Sequence, residues 1–339
     1  MTGRLALVLS FALAAFAPSL HAQQPSGQGQ PADAQAVAAE RVWRNYQQRV
    51  AVLLAETGQP RDLALAAVLQ DLASVDAEGR IPDNATTAAW RSAAARNAGA
   101  DVIANAMLMM GEDAGSPLRE AAARRWAQAE PGNMAPRLLL QNGAEIVLAE
   151  ARDMRRFDQH MYDQVRWIQS ALLRHPPTAA ERAVLLGNDG GTVEEHAAIN
   201  AMALWAAVAM PSLEPLSQAC QPGALRATPT RAADCTYIAR TFVGHSDSTL
   251  GRMLGIGMLE RMAGNASERA EVQALQRRMD WQMLEWGRIA TAQERDGAAQ
   301  FVRLLGDPSV QTEQDLVERI LAEAGVPLDP PAGWQPPRR

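Results

Sequence analysis

Leu118 to Glu150 reads LREAAARRWAQAEPGNMAPRLLLQNGAEIVLAE. Leu118, Ala122, Trp126 and Ala129 fall at i, i+4, i+8 and i+11, one stripe of a 3.6-residue helix. Pro131 and Gly132 stop that helix, because proline brings no amide proton and glycine loses the most backbone entropy. Asn133 is placed to cap a following helix, whose first turn tolerates Pro136. The stretch therefore predicts helix, break, helix.

The same grammar runs down the chain. Major breaks fall at Gly58, Gly99, Pro131, Pro176, Pro222, Gly264 and Gly306. That is roughly every 35–45 residues, close to the period of two-helix repeats. Helices are expected over 32–56, 61–74, 85–97, 101–110, 118–129, 134–150, 154–174, 179–186, 197–210, 233–243, 249–262, 265–289, 294–305 and 312–324. Thr192 and Glu195 have the spacing of a capping box. No sustained alternation of β-branched residues calls for strands.

The 339 residues are 47% hydrophobic, enough for a core, but only 5% aromatic. Abundant alanine lets helices approach closely. All basic residues are arginine; no lysine occurs. The N-terminus has the form of a secretory signal, with Arg4 before the apolar run Leu5 to Phe16 and a cut after Ala22. That apolar run is too short for a membrane span. Residues 23–31 (QQPSGQGQP) read as a flexible leader, and the end, from Pro327, as an extended proline-rich tail. Losing Arg4 takes the formal charge from −6 to −7. A mildly acidic chain with scattered arginines does not suit nucleic acid or an anionic membrane surface.

The two cysteines, Cys220 and Cys235, read as a disulfide of an exported chain. It would close a loop of about 15 residues, for which loop-closure entropy suggests about 3 kcal/mol. The localisation expected is periplasmic or secreted, with no stable span after signal cleavage.

No catalytic, metal or cofactor motif is complete. Gly244 to Ser248 (GHSDS) departs from the G-x-S-x-G elbow at its last position and follows a helix, so it reads as a turn whose Ser246 or Asp247 caps the next helix. Glu194, Glu195 and His196 lack the second histidine of a zinc site. His160 and Asp163 sit at i, i+3 and read as a surface polar pair. Gly187 to Gly191 (GNDGG) lacks the lysine of a phosphate loop and reads as a turn. Methionines on apolar helices, Met107, Met109, Met110, Met202, Met210, Met253, Met258 and Met262, read first as core and secondarily as a lining for an apolar ligand. Trp281 and Trp286, flanked by Arg277 and Arg278, are the candidates for a partner-binding groove.

The junctions ARRWAQAEPGNMAPRLLL and ALLRHPPTAAERAVLL resemble helix-pair boundaries of tetratricopeptide-like repeats, and Ala122, Trp126 and Ala129 resemble the small-large-small pattern of that family's second helix. Pro131 comes earlier than in that family, and the next helix lacks its aromatic-Leu-Gly spacing. The block Ala233 to Gly264 resembles a segment in uncharacterised exported helical proteins of GC-rich Gram-negative bacteria and implies no activity. The resemblance implies an all-α fold of stacked antiparallel helical hairpins over 32–326, an α-solenoid with one disulfide and a subdivision allowed near 211–232. It also implies a protein or peptide interaction module or scaffold of the cell envelope. The alternatives are a periplasmic cell-wall hydrolase with an acidic pair and a carrier of an apolar small ligand. Oligomeric state is not legible.

Overall fold

A computed structural model describes residues 31–76, 78–110, 115–186, 191–208, 213–293 and 296–337. The signal sequence and its cleavage point, the leader up to Gln30, residues 187–190 of the GNDGG turn, Met210 and the last two arginines of the tail lie outside the described residues. Among the described residues all regular structure is helical, with two isolated parallel bridges.

Many of the helices start at a proline or at a side chain that caps an orphan amide. The first are α1 (Pro31–Glu56), α2 (Pro60–Ala73, proline first), α3 (Ala85–Asn97), α4 (Val102–Leu108, capped by Asp101), α5 (Pro117–Ala129, proline first), α6 (Met134–Leu138, capped by Asn133) and α7 (Gly143–Ala149). After a 3₁₀ turn at Ala151–Asp153 come α8 (Met161–Arg174), α9 (Ala179–Leu185) and α10 (Val193–Val208). Then follow α11 (Glu214–Ala219), α12 (Arg231–His245), α13 (Thr249–Met262, capped by Ser248), α14 (Ala266–Gln293), α15 (Asp296–Leu305) and α16 (Glu313–Glu323). Reciprocal capping boxes open α9 (Thr178, Glu181) and α16 (Thr312, Asp315), and Thr192 and Glu195 exchange the same two bonds ahead of α10.

Two expected helices are shorter. The run 134–150 breaks at Leu139 to Asn142, where Asn142 takes a left-handed conformation (φ 59°). Gly143 follows, where a Cβ would lie 2.3 Å from the Arg137 carbonyl oxygen, so only glycine lets the chain pass so close to α6. Residues 154–160 are not helical. Met154 and Phe157 are fully buried there, and the backbone bonds to neighbouring segments instead of to itself.

The chain divides into two compact units, each assembled from separated stretches. The first comprises 31–94, 165–207 and 290–306. In it, Tyr46, Val50 and Leu54 form the buried stripe of α1, opposed by Leu63, Ala66 and Ala67 of α2. The Tyr46 hydroxyl reaches the Leu172 carbonyl at 3.4 Å, and Arg49 pairs with Glu181 at 2.7 Å. Arg174 pairs with Asp62 at 2.5 Å, and Arg91 with Asp71 at 2.6 Å with both side chains buried.

The second unit comprises 95–164, 208–289 and 307–337. Its tightest contact is the α12–α13 hairpin. Cys220, just after α11, is bonded to Cys235 in α12 with Cα atoms 5.6 Å apart, so the disulfide read from the sequence is present. Gly255 of α13 lies against α12: a Cβ there would sit 2.6 Å from the Ala239 carbonyl oxygen and 2.8 Å from Phe242 Cβ. Gly255→Ala is therefore expected to destabilise by about 1–3 kcal/mol through overpacking. Gly244→Ala, in the same hairpin with nothing within 4 Å of the added Cβ, is expected to stabilise by up to about 1 kcal/mol. Urea unfolding midpoints of the two variants check the opposite signs.

Candidate functional site

The second unit is organised around the extended segment 154–160. The Gly132 carbonyl accepts from the amides of Arg155 and Arg156 at 2.8 and 3.3 Å, and Met134 donates to the Arg156 carbonyl at 2.9 Å. On the other edge Phe157 donates to the His245 carbonyl (2.9 Å) and Asp247 to the Phe157 carbonyl (3.1 Å). The Asp247 carbonyl in turn accepts from Glu313 at the start of α16 (2.9 Å). The bridges Asn133–Arg156 and Phe157–Ser246 are parallel. Four stretches distant in sequence meet here.

Charged side chains gather at the same place. Glu130 accepts from Trp126 Nε1 (2.8 Å) and Asn133 Nδ2 (2.9 Å), is ion-paired with Arg156 Nη2 (2.9 Å), and its oxygens lie 2.9 and 3.1 Å from His160 Nε2. His160 Nδ1 faces Asp163 at 3.5 Å and Asp158 at 4.0 Å. His160 itself sits at φ 54°, an uncommon conformation outside glycine that these contacts hold in place. Burial alone would lower the His160 pKa, but bonds to Asp163 and Glu130 and the charges of Asp158 and Glu130 hold it up at about 10. Burial alone would raise Glu130, but bonds from His160, Asn133 and Trp126 and the imidazolium charge bring it down to about 2. Near neutral pH both are ionised, and neither can trade a proton there. The pair His160 and Asp163 is thus part of a five-sided charge cluster and not an isolated surface pair.

Asp247 lies beneath the cluster, 4% exposed. Its Oδ2 accepts the amides of Gln159 (2.9 Å) and Met161 (3.0 Å), tying the segment to the first turn of α8. Its Oδ1 has no hydrogen-bond partner among the described residues. Burial, joined by the charge of Asp158, raises its pKa to about 8 against the pull of the two amides. The helix cap expected at Ser246 or Asp247 falls instead on Ser248, which accepts from the Gly251 amide; Ser246 Oγ accepts from the Ser248 amide and donates to the Ser248 carbonyl. Ser246 is buried and bonded locally, which is the arrangement of a turn and not of a nucleophile.

The titrations set a pH profile. Asp247 keeps its proton in the fold up to about pH 8 but loses it in the unfolded chain near 3.8, so stability falls as pH rises across that window. His160 contributes stability that is complete below 6.5 and lost as pH rises toward about 10. Glu130 contributes stability present above 4.5 and lost as pH falls toward about 2. Denaturation midpoints measured from pH 4 to 8 are expected to move in favour of Asp247→Asn over the natural chain as pH rises. Parallel curves would refute a neutral Asp247.

Among the expected groove residues, Trp286 is not on a surface: it is 6% exposed and packs in the core. Helical register explains it, since Val272, Met279, Gln282, Trp286 and Ile289 form the buried stripe of α14. Arg277, Arg278 and Trp281 share the outer face, and the chain's own tail lies on them. Trp281 Nε1 donates to the Pro327 carbonyl (2.8 Å), Gln282 Nε2 to the Leu328 carbonyl (3.1 Å) and Arg277 Nη2 weakly to the Pro331 carbonyl (3.5 Å). Arg278 pairs with Asp329 at 3.3 Å. The chain then turns, Trp334 donating to the Pro331 carbonyl with Gly333 at φ 79°, and the Trp334 ring returns edge-on to Trp281 at 5.4 Å. The tail was read as extended, but nothing in the sequence indicated where it would dock.

His196 packs edge-on against Trp43 at 5.6 Å, and among the described residues no group of three or more His, Cys, Asp or Glu is placed to hold a metal ion. No described helix is long and apolar enough to cross a membrane. Comparison with models of known families, with curated proteins and with solved structures found no match.

Proposed function

We propose that the chain is an exported interaction module that offers a helical surface to a protein or peptide partner in the cell envelope. The observation that carries this reading is the seat of the tail on α14, where Trp281 and Arg277 of the outer face and the neighbouring Gln282 donate to three main-chain carbonyls of residues 327–331. That is how peptides are held. Export is supported by the disulfide and by the signal-like N-terminus. The finer arrangement we propose, hairpins stacked in the manner of tetratricopeptide-like repeats, draws support from the α1–α2 and α12–α13 hairpins. Pairs such as Arg49–Glu181, 132 residues apart, count against a strictly linear stack.

The acidic-pair hydrolase keeps one specific observation in its favour: Asp247, with a raised pKa, lies near the charge of Asp158. Its 4% exposure and its two amide bonds count against contact with a substrate. Immobilised mature chain, challenged with envelope extract, is expected to retain a defined protein that free chain competes away. A chain that retains none, and instead cleaves peptidoglycan with loss of that activity in Asp247→Asn, would overturn the reading.

A further inference from the structure

We propose that the outer face of α14 is a receptor for proline-containing segments of other proteins, and that residues 326–337 are its resident competitor. This rests on the interaction-module reading and names the surface and the partner's chemistry. The tail leaves α16 through a fixed exit. Gly325 takes φ 68°, its amide bonds the Ala322 carbonyl (3.1 Å), and the Val326 amide bonds the Leu321 carbonyl (2.8 Å). Those two bonds make a Schellman motif, which ends the helix and aims the chain.

From there the sequence is VPLDPPAGWQPP. Prolines stiffen it and strip it of amide protons, so its main chain offers mainly acceptors. The face of α14 offers the complement. An indole N–H and a guanidinium can only donate, and Gln282 presents its amide nitrogen. All three reach main-chain carbonyls, so they read the backbone of a proline-rich segment and not its side chains. Selection among such segments falls to two contacts, Asp329 on Arg278 and the Trp334 ring on Trp281.

One feature shows that the tail leaves part of the face unused. Leu284, three residues beyond Trp281 on the same side of the helix, stays 42% exposed. A longer ligand has apolar surface left to take. Meanwhile the tethered tail competes at high effective concentration, so a ligand in trans binds weakly until the tail loosens.

The test is an anisotropy titration of a dye-labelled peptide spanning residues 326–337 into the full mature chain. Trp334→Ala in the chain, which weakens only the resident tail, is expected to tighten peptide binding about tenfold. Adding Trp281→Ala is expected to abolish it, with far-UV circular dichroism reporting that the helices persist. As a check independent of core packing, a peptide with Asp329→Arg is expected to bind the natural chain several-fold more weakly, and Arg278→Glu in the chain to restore it. Equal binding by the natural chain and Trp334→Ala, or equal binding of a proline-free peptide of the same length, would overturn the proposal. So would concentration-dependent dimers in sedimentation, which would give the face to the tail of a second copy. If the peptide fails while an envelope protein is still retained by the chain, this surface is wrong and the broader reading survives.

Discussion

Glu130→Ala is expected to destabilise the protein by about 3–5 kcal/mol, the usual cost of stripping one member from a buried charge cluster. Thermal unfolding should drop by roughly 10 °C for a chain of this size. The reason lies in what is left behind. Glu130 is 15% exposed at its side chain and is held by two neutral donors, Trp126 and Asn133, and by two cations, His160 and Arg156. Without it, Trp126 Nε1 and Asn133 lose an acceptor, and His160 loses the anion 2.9 Å from Nε2. His160 should then titrate below its value of about 10, which the imidazole proton resonances can follow. A variant that melts with the natural protein would show that the cluster contributes nothing net.

The second large effect is expected in the other unit. Asp71 of α2 and Arg91 of α3 meet at 2.6 Å, with side chains 6% and 7% exposed. Asp71→Leu should cost about 3–5 kcal/mol, because a guanidinium remains buried without its counter-ion. Asp71→Leu combined with Arg91→Met should recover most of that loss, since an apolar pair of similar volume avoids the desolvation of both ions. The double-mutant cycle measures the coupling directly. If the double variant is as unstable as the single, the damage lies in packing and not in charge.

The helices were largely legible in the sequence because their ends carry local chemistry. Asn133 and the Thr192–Glu195 box cap where their spacing said they would, whereas the Asp101 cap and the Thr178 and Thr312 boxes went unread. The disulfide was legible from cysteine count alone. The extended segment 154–160 was not. Its residues carry helical propensity, and only the offer of carbonyls from Gly132 and His245 draws its amides outward. The charge cluster was missed for the same reason. Glu130 and His160 are thirty residues apart, and the one available hint, His160 beside Asp158 and Asp163, said nothing of Glu130. Trp281 and Trp286 looked alike in sequence; burial separates them, and burial is a property of register against neighbours. The tail over Trp281 rests on contacts of the same long-range kind.

The interleaving of the two units bears on how the chain is made. The first unit takes its last strip from residues 290–306, and the second takes its own from 307 onward. A nascent chain leaving the ribosome therefore carries α1 and α2 with part of their companions unmade until residues 290–306 are added. Neither unit can close cooperatively until residues beyond 290 have been made, so early helices must wait in a loosely collapsed state. Chain releases cut short before residue 290 should be degraded rather than accumulate as a folded half.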